Sequence, residues 1–203
     1  MQLGTFSGRA MKSVCVYCGS NPGRLPAYAE AARRLGAALV ERGLGLVYGG
    51  ASVGVMGVLA DTVLELGGHV TGVIPEALVR REVAHGRLSD LRVTGSMHER
   101  KTLMADLADG FVALPGGIGT LEELVEAWTW AQLGLHAKPC GLLNASGYFD
   151  GLIAFLDHAV AERFVKAPHR SMLIVSDDPS ELLRRFETYE PPAVRKWVRR
   201  EDA

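Results

Sequence analysis

Phe111 to Leu124 reads FVALPGGIGTLEEL, and the fold follows from how this stretch changes character. The apolar run Phe111 to Leu114 suits a short buried strand, breaks at Pro115-Gly116-Gly117, and gives way to helical spacing after Thr120. Strand, loop and helix in that order outline a phosphate cradle. Small residues let the backbone approach an anion, and the first N–H groups of the helix point at it with the positive end of the helix dipole behind them. The loop is not a Walker A motif, because no Gly-Lys-Ser/Thr follows. It also fails the dinucleotide fingerprint, whose third glycine after Gly117-Ile118-Gly119 would fall at Glu122. Thr120 and Glu123 have, in addition, the T-x-x-E spacing of a capping box, in which Glu123 only satisfies backbone donors at a helix start. A carboxylate there is expected to stay ionised, which suits a base or a stabiliser of positive charge better than a proton donor.

Outward from this stretch, strands and helices alternate. Strands are expected at Ser13 to Tyr17, Leu44 to Tyr48, His69 to Ile74, Leu91 to Thr94, Phe111 onward, Pro139 to Leu143 and Met172 to Val175. Helices are expected from Pro26 to Arg42, up to Leu66, up to Ala108, from Ile118 to Leu133, from Phe149 to Arg163 and from Pro179 to Tyr189. Residues 77–89 carry mixed charge without a period and read as a mobile or surface segment. Alternation with nearly continuous apolar strands predicts an α/β fold, a Rossmann-like doubly wound parallel sheet with helices on both faces. One domain is expected over 13–189, with a tail at 1–12 and a basic tail at 190–203 that contains Arg195-Lys196-Trp197-Val198-Arg199-Arg200.

Ligands of open parallel sheets bind outside the carboxyl ends of the strands. The loops expected there hold Gly19-Ser20, Gly49-Gly50-Ala51-Ser52, Pro75-Glu76, Gly95 to Lys101 and Pro115 to Thr120, so small and polar residues gather at one edge. With a sugar phosphate anchored at Gly116, Gly117, Gly119 and Thr120, the pairs Gly19-Ser20 and Gly49-Gly50 would border its sugar or base. Tyr48 stands where a dinucleotide site would place an acid for the ribose hydroxyls, which favours a mononucleotide over NAD.

A second cluster, Ser96-Met97-His98-Glu99-Arg100-Lys101, has its own capping-box spacing in Ser96 and Glu99. Cations near a helix start oppose the dipole, so Arg100 and Lys101 call for a compensating anion: a bound phosphate, Glu123 or another carboxylate. The other reading of the pair is two solvated surface charges.

The totals exclude several classes. A formal net charge of −1 over 203 residues argues against general binding to nucleic acid or to a membrane surface. No apolar run is long enough to span a membrane and no signal-like leader stands at the N-terminus, so a cytoplasmic protein is expected. The three cysteines fit that compartment. Cys15 and Cys18 form a C-x-x-C, but Cys15 lies in a strand-like run, the two side chains should point to opposite faces, and Cys140 stands alone. The histidines are scattered without metal-ligand spacing, and no G-x-S-x-G elbow occurs, so no metal site is expected.

Together these residues resemble a known family. Pro115 to Glu123 matches a PGGxGTxxE motif and Met97-His98-Glu99-Arg100-Lys101 resembles its companion M-H-x-R-K. With Cys18-Gly19-Ser20 and Tyr48-Gly49-Gly50, the chain from Ser13 to Tyr189 is similar to the LOG (Lonely Guy) family of cytokinin riboside 5'-monophosphate phosphoribohydrolases. The resemblance implies cleavage of the N-glycosidic bond of an adenine-type nucleoside 5'-monophosphate, with Arg100 and Glu123 as the catalytic pair and the glycine loop on the 5'-phosphate. Gly19, Ser20, Gly49, Gly50, Met97 and Lys101 complete the expected substrate contacts. It also implies a homodimer or larger assembly, with sites near the subunit interface, and no cofactor. Such sequences often carry the label lysine decarboxylase, but one nucleotide-type domain of 203 residues leaves no room for that enzyme's cofactor apparatus. Ala51 stands where the family often has a third glycine and Val55 where it has leucine, changes that bear on base preference. The competing reading is a non-catalytic nucleotide sensor or a carrier of a phosphorylated cofactor on the same sheet.

Overall fold

The computed structural model describes residues 11–79 and 84–193. Seven strands, β1 (Ser13–Tyr17), β2 (Gly45–Tyr48), β3 (Val70–Pro75), β4 (Asp90–Thr94), β5 (Phe111–Ala113), β6 (Cys140–Leu143) and β7 (Leu173–Ser176), form one sheet. Their order is β4-β3-β2-β1-β5-β6-β7 and every pairing is parallel. The main helices are α1 (Pro26–Glu41), α2 (Gly54–Glu65), α4 (Met97–Leu107), α5 (Ile118–Leu133), α6 (Asp150–Ala161) and α8 (Pro179–Glu187).

Period-two alternation along β1 divides these helices between two layers. Val14 and Val16 pack with Leu35 and Leu39 of α1, Leu59 and Val63 of α2, and Leu182 and Phe186 of α8. Cys15 and Tyr17 face the other way, onto Met104 of α4, Leu124 and Trp128 of α5 and Leu156 of α6. The doubly wound sheet expected from the alternation is therefore the observed one. Cys18 belongs to the first layer and Cys15 to the second, so the C-x-x-C is split across the sheet.

The chain runs outward from β1 to β4, then returns to add β5 on the other side of β1. The switch point of the sheet thus falls between β1 and β5, the place where open parallel sheets bind ligands in a crevice outside the strand ends. Register places Val16 beside Tyr48 and Tyr17 beside Ala113, so the loops after β1, β2 and β5 leave the sheet at nearly one level.

Three short elements escape the sequence pattern: α3 (Glu76–Val79), a 3-10 turn (Ala145–Gly147) and α7 (Ala167–Arg170). None is long enough to show a period. The reading of residues 77–89 as mobile or surface is corrected in part. Ala84 makes an antiparallel bridge with Ala51, His85 N–H donates to Gly50 O at 3.0 Å, and the buried His85 ring bonds Asp61 at 3.1 Å. The clasp depends on partners more than twenty residues away, which no local pattern reveals. Likewise Met11 packs on the core and Lys12 N–H donates to Asp109 at 2.8 Å, so the expected N-terminal tail is tied down at its last two residues. Residues 1–10 of that tail, and the basic run 195–200, lie outside the described residues.

Candidate active site

Glu123 resolves the two readings of the T-x-x-E spacing. The N-cap of α5 is Gly117, in extended conformation and without a side-chain cap bond, so Thr120 already lies inside the helix and no capping box forms. Glu123 instead accepts a hydrogen bond from Arg100 Nη1 at 2.7 Å. Both side chains are about nine-tenths buried, at 9% and 11% exposure. The helix dipole invoked to keep Glu123 ionised is not what acts on it. Glu123 sits beyond the first turn of α5, where the dipole effect has decayed. Burial raises its pKa above the ordinary carboxylate value of 4.5, and the Arg100 charge opposes the rise.

At the other helix the cap reading holds. Ser96 is the N-cap of α4 and its hydroxyl accepts the N–H of Glu99 at 3.1 Å, while the Glu99 carboxylate accepts Gly95 N–H at 2.8 Å. With α4 fixed in this way, Arg100 and Lys101 project from its second turn, both buried. They are not solvated surface charges. Arg100 Nε donates to Val73 O of β3 at 2.9 Å, and its guanidinium lies on Gly49, where a Cβ would come within 2.5 Å of Nη2. Lys101 Nζ is held by Glu122 at 2.5 Å and Glu126 at 2.9 Å, both on α5. Neighbouring cations of α4 thus engage three carboxylates of α5, and only Arg100 reaches the crevice side of β2 and β3.

Glycines join the crevice loops by close approach. A Cβ on Gly116 would fall 2.1 Å from Thr120 Oγ1 and 2.8 Å from Gly19 N, and Gly19 N–H donates to Pro115 O at 3.1 Å. The β1 and β5 loops are therefore in backbone contact. Gly54, at φ +61°, packs against the Ser20 carbonyl group, bringing the start of α2 onto the β1 loop. Gly117 and Gly119 differ: both are exposed, and a Cβ on either would meet nothing within 4 Å. No side chain or backbone of the described residues demands glycine at these two places, so their smallness leaves room for something outside the chain. They sit at the N-terminus of α5, where backbone N–H groups lack helical acceptors.

Of the residues expected at the site, direct contacts join Gly19, Gly116 and Thr120 in one group and Gly49, Arg100 and Glu123 in another, and α5, which carries Thr120 and Glu123, links the two. Ser20, Gly117 and Gly119 lie exposed at the rim, and Met97 is exposed at the first position of α4. Gly50, at φ +82°, points its carbonyl to His85 rather than into the crevice. Lys101 is turned to α5. Trp128 is buried and donates its indole N–H to His169 O at 2.9 Å, a packing role. Tyr148 carries no motif, yet its hydroxyl donates to Gly116 O at 2.5 Å. Only the arrival of β6 next to β5 reveals it.

Comparison with known proteins agrees with this architecture. The family profile described as "Possible lysine decarboxylase" matches residues 56–186. The probable cytokinin riboside 5'-monophosphate phosphoribohydrolase LOGL5 of Oryza sativa subsp. japonica is 52% identical over 181 residues, 89% of this chain and 74% of that protein. The chain belongs to the LOG family. Another LOG relative, the cytokinin riboside 5'-monophosphate phosphoribohydrolase LOG7 of Arabidopsis thaliana, is 50% identical over 89% of this chain and 83% of its own length. Among solved structures, the molybdenum cofactor binding protein of Rippkaea orientalis superposes with a TM-score of 0.67 at 22% identity, covering 90% of this chain and 98% of that one. The molybdenum cofactor carrier protein of Chlamydomonas reinhardtii gives 0.65 at 23% identity, over 85% and 94%. At that identity the likeness is one of fold, and the LOG family has this fold in common with those carriers.

Proposed function

We propose that this chain hydrolyses the N-glycosidic bond of adenosine 5'-monophosphates, plain or N6-modified, to free base and ribose 5-phosphate. The observation that carries the reading is the buried Arg100–Glu123 pair beside a glycine loop with open space at Gly117 and Gly119. The activity for which the rice and Arabidopsis relatives are named supports it.

The chemistry suits these groups. Departure of the base builds positive charge on the sugar, and the Glu123 carboxylate stabilises that charge or takes a proton from the attacking water. Water oxygen bonds to the anomeric carbon as the carbon–nitrogen bond breaks, and its electron pair leaves with the base, which is protonated on a ring nitrogen. A purine has basic nitrogens of its own, so a second carboxylic acid is not required, nor is a metal. Arg100 stays charged at any ordinary pH. Its bonds to Val73 O and Glu123 fix the carboxylate in place, and the α5 N-terminus with Gly116, Gly117, Gly119 and Thr120 holds the 5'-phosphate.

The test is incubation with AMP and with N6-isopentenyl-AMP, following free base and ribose 5-phosphate, with Glu123→Gln as control. Release that depends on Glu123 supports the reading; binding of AMP without cleavage returns the carrier or sensor. A cytosolic homodimer or larger assembly belongs to the same proposal, supported by three reduced cysteines and by the exposed rings of Phe155 and Phe164 on and after α6. No helix among the described residues is long and apolar enough to cross a membrane.

A further inference from the structure

Gly116 sits at the point where the β5 loop must hold an anion, and its carbonyl is engaged from outside the loop. The Tyr148 hydroxyl donates to Gly116 O at 2.5 Å from 32 residues away. The turn that presents Tyr148 is built firmly. Asn144 N–H donates to Ser176 O of β7 at 2.8 Å, Asn144 Oδ1 accepts Phe149 N–H at 2.7 Å, and Asn144 Nδ2 donates to Asp150 Oδ1 at 2.7 Å. Between these anchors Ser146 and Gly147 take left-handed conformations, φ +53° and +70°, which close the turn back toward β5. The Tyr148 ring, exposed to solvent on its remaining side, makes T-shaped contacts with Tyr28, at 5.5 Å, and Phe149, at 4.9 Å.

A trans peptide carries its C=O and N–H on opposite edges of one plane. There are no cis peptide bonds among the described residues. Holding the Gly116 carbonyl therefore also sets the direction of the Gly117 N–H, which points away from Tyr148. In a loop of adjacent glycines this plane is otherwise free to rotate, because glycine tolerates both signs of φ.

We propose that Tyr148 is a positioning residue of the phosphate loop, fixing the Gly116–Gly117 peptide so that the Gly117 N–H faces the bound 5'-phosphate. The inference rests on the phosphoribohydrolase reading and adds a residue outside its two motifs. Tyr148 touches neither base nor reacting carbon in this scheme, so its loss weakens phosphate recognition and leaves the chemical step alone.

The experiment is calorimetric titration of wild type, Tyr148→Phe and Tyr28→Phe with ribose 5-phosphate and, separately, with adenine, alongside steady-state kinetics on AMP. Phenylalanine keeps the ring contacts and removes only the hydroxyl. One neutral hydrogen bond predicts about fivefold weaker ribose 5-phosphate binding and a matching rise in KM for Tyr148→Phe, with kcat and adenine binding unchanged. Tyr28→Phe should behave as wild type. Equal ribose 5-phosphate affinity in wild type and Tyr148→Phe overturns the positioning role while leaving the site reading intact. Parallel loss of adenine binding or of kcat overturns it as well, in favour of general support of the fold. A wild type that binds AMP but releases no free base sinks the phosphoribohydrolase reading itself.

Discussion

Arg100 Nη1 lies 2.7 Å from Glu123 Oε1, though the two residues stand on different helices and 23 positions apart. The pair exists because α4 and α5 cover the same face of β1, one arriving from the β4 side and the other leaving β5. Glu123→Gln keeps the shape and removes the charge. It should lower kcat by about 100-fold or more, the usual scale for a lost acid–base group, with ribose 5-phosphate binding retained. Rapid-quench and steady-state assays on AMP check this.

Arg100→Met should cost both stability and rate. It leaves Glu123 buried without its partner, for which about 3 kcal/mol is the expected scale, read as a lower urea midpoint. The double variant Arg100→Met with Glu123→Gln should be less destabilised than the sum of the single changes, because the pair is in contact.

The pH dependence has a definite sign. Burial lifts the Glu123 pKa above 4.5 against the opposing Arg100 charge, so the acid limb of kcat/KM should lie above the ordinary glutamate value. Activity needs the ionised form and is lost as pH falls through the raised pKa. For stability the sign is reversed: a raised folded-state pKa favours the native state below the unfolded value, and that contribution fades as pH rises through the folded one. In Arg100→Met the acid limb should move further up. A pH–rate profile of both proteins decides it.

The glycines of the loop should separate into two kinds. Gly116→Ala places a Cβ against Thr120 and the β1 loop and should lower stability by about 1–3 kcal/mol. Gly117→Ala meets open space, so its melting temperature should match wild type while the KM for AMP rises. Thermal unfolding and kinetics on both variants distinguish packing from ligand clearance.

Lys101→Met should resemble neither. Its amine is engaged by Glu122 and Glu126 on α5, so the expected result is lower stability with ribose 5-phosphate affinity within about twofold of wild type. A large loss of phosphate affinity would instead make Lys101 a substrate contact.

Much of this is legible in the sequence. The apolar runs from Ser13 and Phe111 and the glycine breaks after them mark the central strands and their loops, since a buried parallel strand must be apolar on both faces. Arg100 and Lys101, two adjacent cations, point to partner anions, although the structure sets them in the second turn of α4, where the dipole effect that suggested it has faded. Their partners were not legible individually. Choosing Glu123 for Arg100, and Glu122 with Glu126 for Lys101, requires the relative turn of α4 and α5, which strand order sets. The spacing of Thr120 and Glu123 suggests a cap that does not form, because α5 begins at Ile118 and Thr120 already lies inside the helix. Tyr148 and His85 act through contacts between distant segments and leave no periodic trace.

The contact of Gly19 with Gly116 also joins the two halves of the chain. The strands from β1 to β4 are laid out in one direction, and the anion cradle is complete only where β5 lies on the other side of β1. A chain severed between Ala108 and Phe111 would leave the guanidinium on one fragment and the carboxylate with its phosphate loop on the other. Neither fragment would hold a site, and recovery of nucleotide binding on mixing would report the closing of that single seam.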